Sequence, residues 1–309
     1  MMTPTPSQLN AQYCRNFVPT LHTTPYPAID PARVKLPSPF VICIIGGRGA
    51  AGGGLARAYA QAGASGLILA ARTRSGLEET ANEVRSISST IKVVLSECDI
   101  TSEKDLALIV QTVKSEFDGR LDVAVVNSGY SGPIVLDVAQ EPPDDYRAAF
   151  DVNTIGCFYA AHYLLPLLEP TQSNAMSFIA INSMATPTVA GMGGHAHYCV
   201  SKAAQARLIE MINEQYSSRG LFCASVHPGG MMSGFIKHDV PENIRKMLND
   251  SPDLVGAFCV WLSTPGTSER QRKALNGRFL SCKWDVCELE GRFDEIVKKD
   301  LLRFRIAVD

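Results

Sequence analysis

The chain has 309 residues, 46% of them apolar, enough to build the core of one large α/β domain or two small ones. With Lys+Arg 29 against Asp+Glu 31 the formal net charge is −2, and no run of like charge is long enough to steer the protein to nucleic acid or an anionic membrane. The nine cysteines are scattered without a C-x-x-C pair or zinc-ligand spacing. No signal-peptide h-region and no run approaching about 18 apolar residues is present, so the reading is a reduced, cytoplasmic protein with no membrane span.

Residues 1–39 are rich in Pro, Thr and Ser and lack helical or strand period, so they read as an extended arm, with the folded domain beginning at Phe40. Strand-length apolar runs then alternate with stretches of helical period. Strands are predicted over 40–45, 66–71 and 91–95, with helices over 52–62 and 77–86 between them. A helix over 107–116, a strand over 123–126, one long helix over 144–168, a strand over 177–181, a helix over 198–217 and a strand over 221–226 follow. A seventh strand is expected at 278–282, and then a C-terminal helical tail over 286–309, where Leu289, Phe293, Ile296 and Leu301 recur at helical spacing. This is the rhythm of βαβ units. It predicts an α/β fold, a Rossmann-type doubly wound parallel sheet with helices on both faces, as a single domain over residues 40–285.

The first strand runs into Gly46-Gly47-Arg48-Gly49-Ala50-Ala51-Gly52 and then a helix rich in small residues. Glycines in such a turn let the backbone approach a pyrophosphate, whose charge rests at the helix N-terminus. The register is open at this point, since Gly47-x-Gly49-x-x-Gly52 spells the general dinucleotide fingerprint while Gly46, Ala50 and Gly52 fit a T-G-x-x-x-G-x-G pattern. At the end of the second strand Ala71 leaves no carboxylate to bind a ribose 2′-OH, whereas Arg72, with Arg48 nearby, offers a planar fork suited to a 2′-phosphate. NADP(H) is therefore the expected cofactor. After the third strand, Asp99-Ile100 places an Asp where it serves either the adenine amino group or a local cap.

Tyr198-Cys-Val-Ser-Lys202 puts a phenol and an ammonium on one helix face. A free phenol, with a pKa of ~10, is a sluggish acid near neutral pH, and an adjacent ammonium would favour its phenolate. Ser183 follows a strand at the sheet end where α/β folds hold ligands, and its hydroxyl is placed to polarise a carbonyl.

With these motifs in order, the chain resembles the short-chain dehydrogenase/reductase family over about residues 40–285. The family's Asn-Asn-Ala-Gly stretch corresponds to Val126-Asn127-Ser128-Gly129, its Asn-bearing helix to Val152-Asn153-Thr154-Ile155-Gly156, and its Pro-Gly loop to His227-Pro228-Gly229-Gly230-Met231-Met232-Ser233. The resemblance implies a catalytic tetrad of Asn153, Ser183, Tyr198 and Lys202. Asn153 would hold a water in a proton relay and Lys202 would also bind the nicotinamide ribose. It further implies cofactor contacts from Asn127, Ser128, Gly129, Pro228, Gly229, Met231 and Ser233. Departures are Ile45 for Thr, Ala50 for Gly, Val126 for Asn, and a slightly long stretch between Ser183 and Tyr198. Segments starting at His22 and around Trp284-Asp285 and Asp300–Phe304 resemble fungal members, many of which act in secondary metabolism. A homodimer or homotetramer built on the helices over 144–168 and 198–217 is implied as well, with Ala203, Ala204 and Ala206 permitting close packing.

His195-x-His197 has no acidic or Cys partner close by in sequence and the family needs no metal, so no metal is expected and the histidines are read as lining the pocket. The loops over 130–135, 184–197 and 231–249 are mostly apolar or small, which points to an apolar ketone or secondary alcohol as substrate. Two other functions fit the same motifs: a non-catalytic NADP(H)-binding protein, and a redox-neutral isomerase or cyclase using Tyr198 as an acid.

Overall fold

The computed structural model describes residues 12, 14–169, 175–189, 195–232, 245 and 248–306. Seven strands form one sheet: β1 (Val41–Ile45), β2 (Gly66–Ala71), β3 (Lys92–Glu97), β4 (Val123–Val126), β5 (Ser177–Ile181), β6 (Phe222–His227) and β7 (Arg278–Ser281). Their order is β3-β2-β1-β4-β5-β6-β7, and every neighbouring pair is parallel. Parallel strands covered on both faces become continuous apolar runs, and β1 and β4 are buried along their whole length. Within β1 the pleat still sorts residues, sending Ile42 and Ile44 to one core cluster and Val41, Cys43 and Ile45 to the other.

Helices α1 (Gly49–Gln61), α2 (Arg74–Ile87), α3 (Glu103–Glu116), α4 (Pro143–Phe150), α5 (Gly156–Leu168) and α6 (Ala196–Tyr216) connect the strands. They are followed by α7 (Pro252–Ser263), α8 (Glu269–Leu275), α9 (Val286–Glu290) and α10 (Phe293–Lys299). Leu55 and Tyr59 of α1 pack with Leu254 and Phe258 of α7 in one cluster, while Ile109 of α3, Leu164 of α5 and Ile209 of α6 fill the other. The strand order reverses between β1 and β4, so the turns that follow these two strands flank the crevice where such sheets hold ligands.

Three departures from the sequence reading have physical causes. The single helix expected over 144–168 is α4 and α5 joined through a π-helical turn, Asp151–Ile155, which carries Asn153. The C-terminal tail is broken into α9 and α10 around Gly291 and Arg292. The N-terminal segment does not stand away from the domain. Val18, Ile29 and Leu36 join the core, the Trp284 indole donates to Arg15 O (3.1 Å), and His22 N donates to Lys283 O (2.7 Å).

Helices α1 and α7 touch backbone to backbone. A Cβ on Gly54 would lie 1.9 Å from Pro252 O, and one on Gly256 would lie 2.2 Å from Gly54 O. Gly54→Ala should therefore cost about 1–3 kcal/mol of stability through overpacking. Gly266→Ala, where a Cβ meets nothing within 4 Å, should be near neutral. Denaturant midpoints of the two variants check this, and equal midpoints would contradict the close approach.

Candidate active site

The sheet carries the predicted cofactor residues to one end, each following the C-terminus of a parallel strand. Gly46 to Gly52 follow β1, Arg72 follows β2, Asp99 and Ile100 follow β3, Asn127 to Gly129 follow β4, and Pro228 to Met231 follow β6. Ser233 lies outside the described residues.

The turn after β1 can only be made by glycine at two places. Gly46 has φ +89°, and a Cβ there would come within 2.6 Å of Ser128 N; a Cβ on Gly52 would come within 2.3 Å of Gly46 O. The turn is clamped from both sides: Gly46 N and Gly47 N donate to Ala70 O (2.7 and 3.0 Å), and the Asn127 amide donates to Gly46 O (2.7 Å). Helix α1 opens at Gly49 without a side-chain cap, leaving its first-turn N–H groups available to an anion. These features fit a dinucleotide pyrophosphate, with Ala50 and Ala51 in that first turn.

Arg72 is exposed and makes no hydrogen bond or ion pair among the described residues, while the Arg48 side chain lies along Gly76 at the start of α2. Asp99 Oδ1 accepts from Thr101 N (2.9 Å) and Thr101 Oγ1 (2.8 Å), so its carboxylate closes a local turn. Ile100 is buried against Gly156. Gly229 has φ +85°, and Gly230 N donates to the buried Asp250 carboxylate (2.7 Å), which pairs in turn with Lys283. Met231 is buried and bridges to Asn249.

The four predicted reaction-site residues converge from three elements. Ser183 leaves β5 and hydrogen-bonds Tyr198 on α6, which lowers the phenol pKa, but burial outweighs this and pushes it up to about 12. Lys202, one turn along α6, is buried and donates from Nζ to Ile181 O (2.9 Å) and Gln205 Oε1 (3.1 Å). Burial lowers its pKa to about 8 against an opposing effect from the Cys157 thiol. The ammonium expected from the sequence to depress the tyrosine is thus itself desolvated and engaged elsewhere. Asn153 is fully buried: its amide N–H groups donate to Tyr130 O (2.8 Å) and Ser201 Oγ (2.9 Å), and its Oδ1 accepts from Tyr130 N (2.9 Å). Both amide hydrogens are spent on joining the turn after β4 to α6.

The sequence reading missed a carboxylate. His197 pairs through Nδ1 with Glu141, both side chains buried, and its backbone N–H donates to the same oxygen (3.1 Å). The partner is distant in sequence, so spacing could not reveal it. His195 stacks on Tyr198 with ring centres 5.3 Å apart and planes 8° off parallel. Among the described residues, no group of three or more His, Cys, Asp or Glu is placed to hold a metal ion. His227, which opens the Pro-Gly loop, accepts from Met184 N through Nδ1 (3.1 Å).

The chain matches the short chain dehydrogenase family over residues 40–243. A short chain dehydrogenase of Aspergillus terreus, pgmD, is 31% identical over 310 residues, spanning 98% of this chain and 97% of its own. Among solved structures, a 7α-hydroxysteroid dehydrogenase complexed with NADH and 7-oxo glycochenodeoxycholic acid has a TM-score of 0.69 at 21% identity, covering 84% of this chain and 97% of that one. A Shigella flexneri 2a short chain dehydrogenase complexed with NADP has a TM-score of 0.68 at 19% identity, covering 82% and 100%. At such identities the two structures speak to the fold.

Two buried histidines set an acid limit on stability. Burial, then the neighbouring His197, lowers His195 from 6.5 to about 4; burial, then Lys283 and Arg15, lowers His227 from 6.5 to about 3. Between these values and 6.5 the unfolded chain binds protons that the folded one refuses. Stability is therefore whole above about 6.5 and falls as pH drops below it. Denaturant midpoints measured at several pH values across this window should decline less steeply for His195→Phe than for the wild type. Identical slopes would mean that His195 is not desolvated.

Proposed function

Because the chain belongs to the short chain dehydrogenase family, whose members are oxidoreductases acting between alcohol and carbonyl, we propose that it interconverts an apolar ketone and its secondary alcohol with NADP(H). The observation that carries this reading is the meeting of the Ser183 hydroxyl with the Tyr198 phenol at the sheet end that also holds the glycine cradle. When bound, the nicotinamide supplies or accepts the hydride. Tyr198 gives a proton to the carbonyl oxygen, or takes it back from the alcohol, and Ser183 holds that oxygen in place by a hydrogen bond. Lys202 sets the electrostatics of the site and binds the nicotinamide ribose. Asn153 is a positioning residue, because its side chain is committed to Tyr130 and Ser201.

Preference for NADP(H) is supported by Ala71, which leaves no acid at the end of β2, and by the uncommitted Arg72 beside it. The apolar side chains of Phe158, Val200 and Met211 stand exposed on α5 and α6, which supports a homo-oligomer formed through these helices.

Tyr198→Phe should reduce turnover by ~10²–10⁴-fold while leaving NADPH affinity nearly unchanged. With NADPH deuterated on the transferring face, the label should appear in the alcohol product. Full activity of the variant, or unlabelled product without cofactor oxidation, would instead point to a redox-neutral isomerase or cyclase.

NADPH should bind at least about tenfold tighter than NADH, equivalent to ~1.4 kcal/mol. Arg72→Ala should erase most of that difference, as read by calorimetric titration of both cofactors. Equal affinities in the wild type would refute the assignment of Arg72.

A further inference from the structure

The histidine pair before α6 is a built unit. His197 is fully buried, with Nδ1 on the Glu141 carboxylate and Nε2 on Ser131 O (2.6 Å). Gly132, with φ +60°, permits this approach, since a Cβ there would lie 2.5 Å from His197 Nε2. A carbonyl oxygen only accepts, so the His197 Nε2 carries a proton. His195 Nδ1, 3.3 Å from that same N–H, faces it as an acceptor. The His195 proton therefore sits on Nε2.

That Nε2–H has no hydrogen-bond partner among the described residues, although His195 is only 6% exposed. A donor without a protein partner is open to a ligand oxygen. The ring that carries it is stacked on the Tyr198 ring, almost coplanar in orientation and 5.3 Å away centre to centre. The phenol hydroxyl and the imidazole N–H thus belong to adjacent parallel rings and address a single small molecule at two nearby points.

We propose that His195 is a specificity-determining residue whose Nε2–H donates a hydrogen bond to a second substrate oxygen, one placed β to the carbonyl that Tyr198 serves. A 1,3-dioxygenated unit sets two acceptors close together on a short carbon chain, which matches paired donors on stacked rings. The preferred substrates are then β-dicarbonyl compounds and their β-hydroxy ketone products, and Glu141 and His197 act only by fixing the tautomer and tilt of His195. This inference rests on Tyr198 being the acid–base group.

The test compares ethyl 3-oxohexanoate with 4-nonanone, which lacks the second carbonyl, using the full-length protein with NADPH. His195→Phe keeps the ring stack and deletes the donor. It should lower kcat/KM for the keto ester about tenfold relative to the ketone, the scale of one hydrogen bond. His195→Gln, which restores a donor, should recover part of the loss. Independently of turnover, the His195 Nε2–H proton resonance of the wild type, identified by its absence in His195→Phe or His195→Gln, should move on adding acetylacetone and stay in place on adding acetone. Equal losses for both substrates, no loss for either, or an unmoved resonance would overturn the proposal. A resonance that moves in a protein whose Tyr198→Phe variant keeps full activity would leave the His195 site standing and remove the acid–base reading instead.

Discussion

The close approach of backbone to backbone around the first turn is the constraint on which the rest of the molecule depends. Gly46 turns the chain with a positive φ against Ser128, Gly52 passes Gly46 O, and Gly54 lies on Pro252 of α7. Each contact is closer than any Cβ tolerates, so a side chain at any of them would displace the turn or part α1 from α7. Because α1 is held there, its uncapped N-terminus stays beside the crevice where the strand order reverses. The Asn127 amide then ties the turn after β4 to the turn after β1, and the chain that follows it reaches Tyr130, whose backbone is gripped by Asn153. Cofactor cradle and reaction site are two ends of one hydrogen-bonded path.

Much of this was legible in sequence because it is local. Apolar runs of strand length located all seven strands to within a residue or two, and the glycine turn, the Ser183 strand end and the Tyr198–Lys202 helix spacing are all properties of short segments. What escaped detection was long-range or aperiodic. A π turn adds one residue to a helical repeat without altering its apolar pattern, so Asp151–Ile155 looked like uninterrupted helix. Helix α7 is apolar on nearly every side and gives no amphipathic stripe by which to recognise it. The N-terminal segment lacks any period, yet Val18, Ile29 and Leu36 are buried, because irregular chain packs well when its polar groups find partners such as Trp284 and Lys283. The Glu141–His197 pair joins residues far apart in the chain, and nothing in the residues around His197 announces a carboxylate.

Burial governs the electrostatics of the reaction site more than proximity does. It moves Tyr198 up to about 12 and Lys202 down to about 8, so phenol and amine are driven apart on the pH scale, each toward its neutral form. Desolvation disfavours the charged form of either group, and an ion pair formed from both would have to repay two penalties at once. The lysine instead spends its donors on Ile181 O and Gln205 Oε1, and the tyrosine keeps its proton with Ser183 as the one neighbour drawing it down. A protonated phenol is a poised donor, next to a hydroxyl able to orient whatever oxygen receives its proton. The histidines extend the same logic outward. His195 is kept neutral by burial and by His197 beside it, which leaves a second uncharged donor stacked on the first.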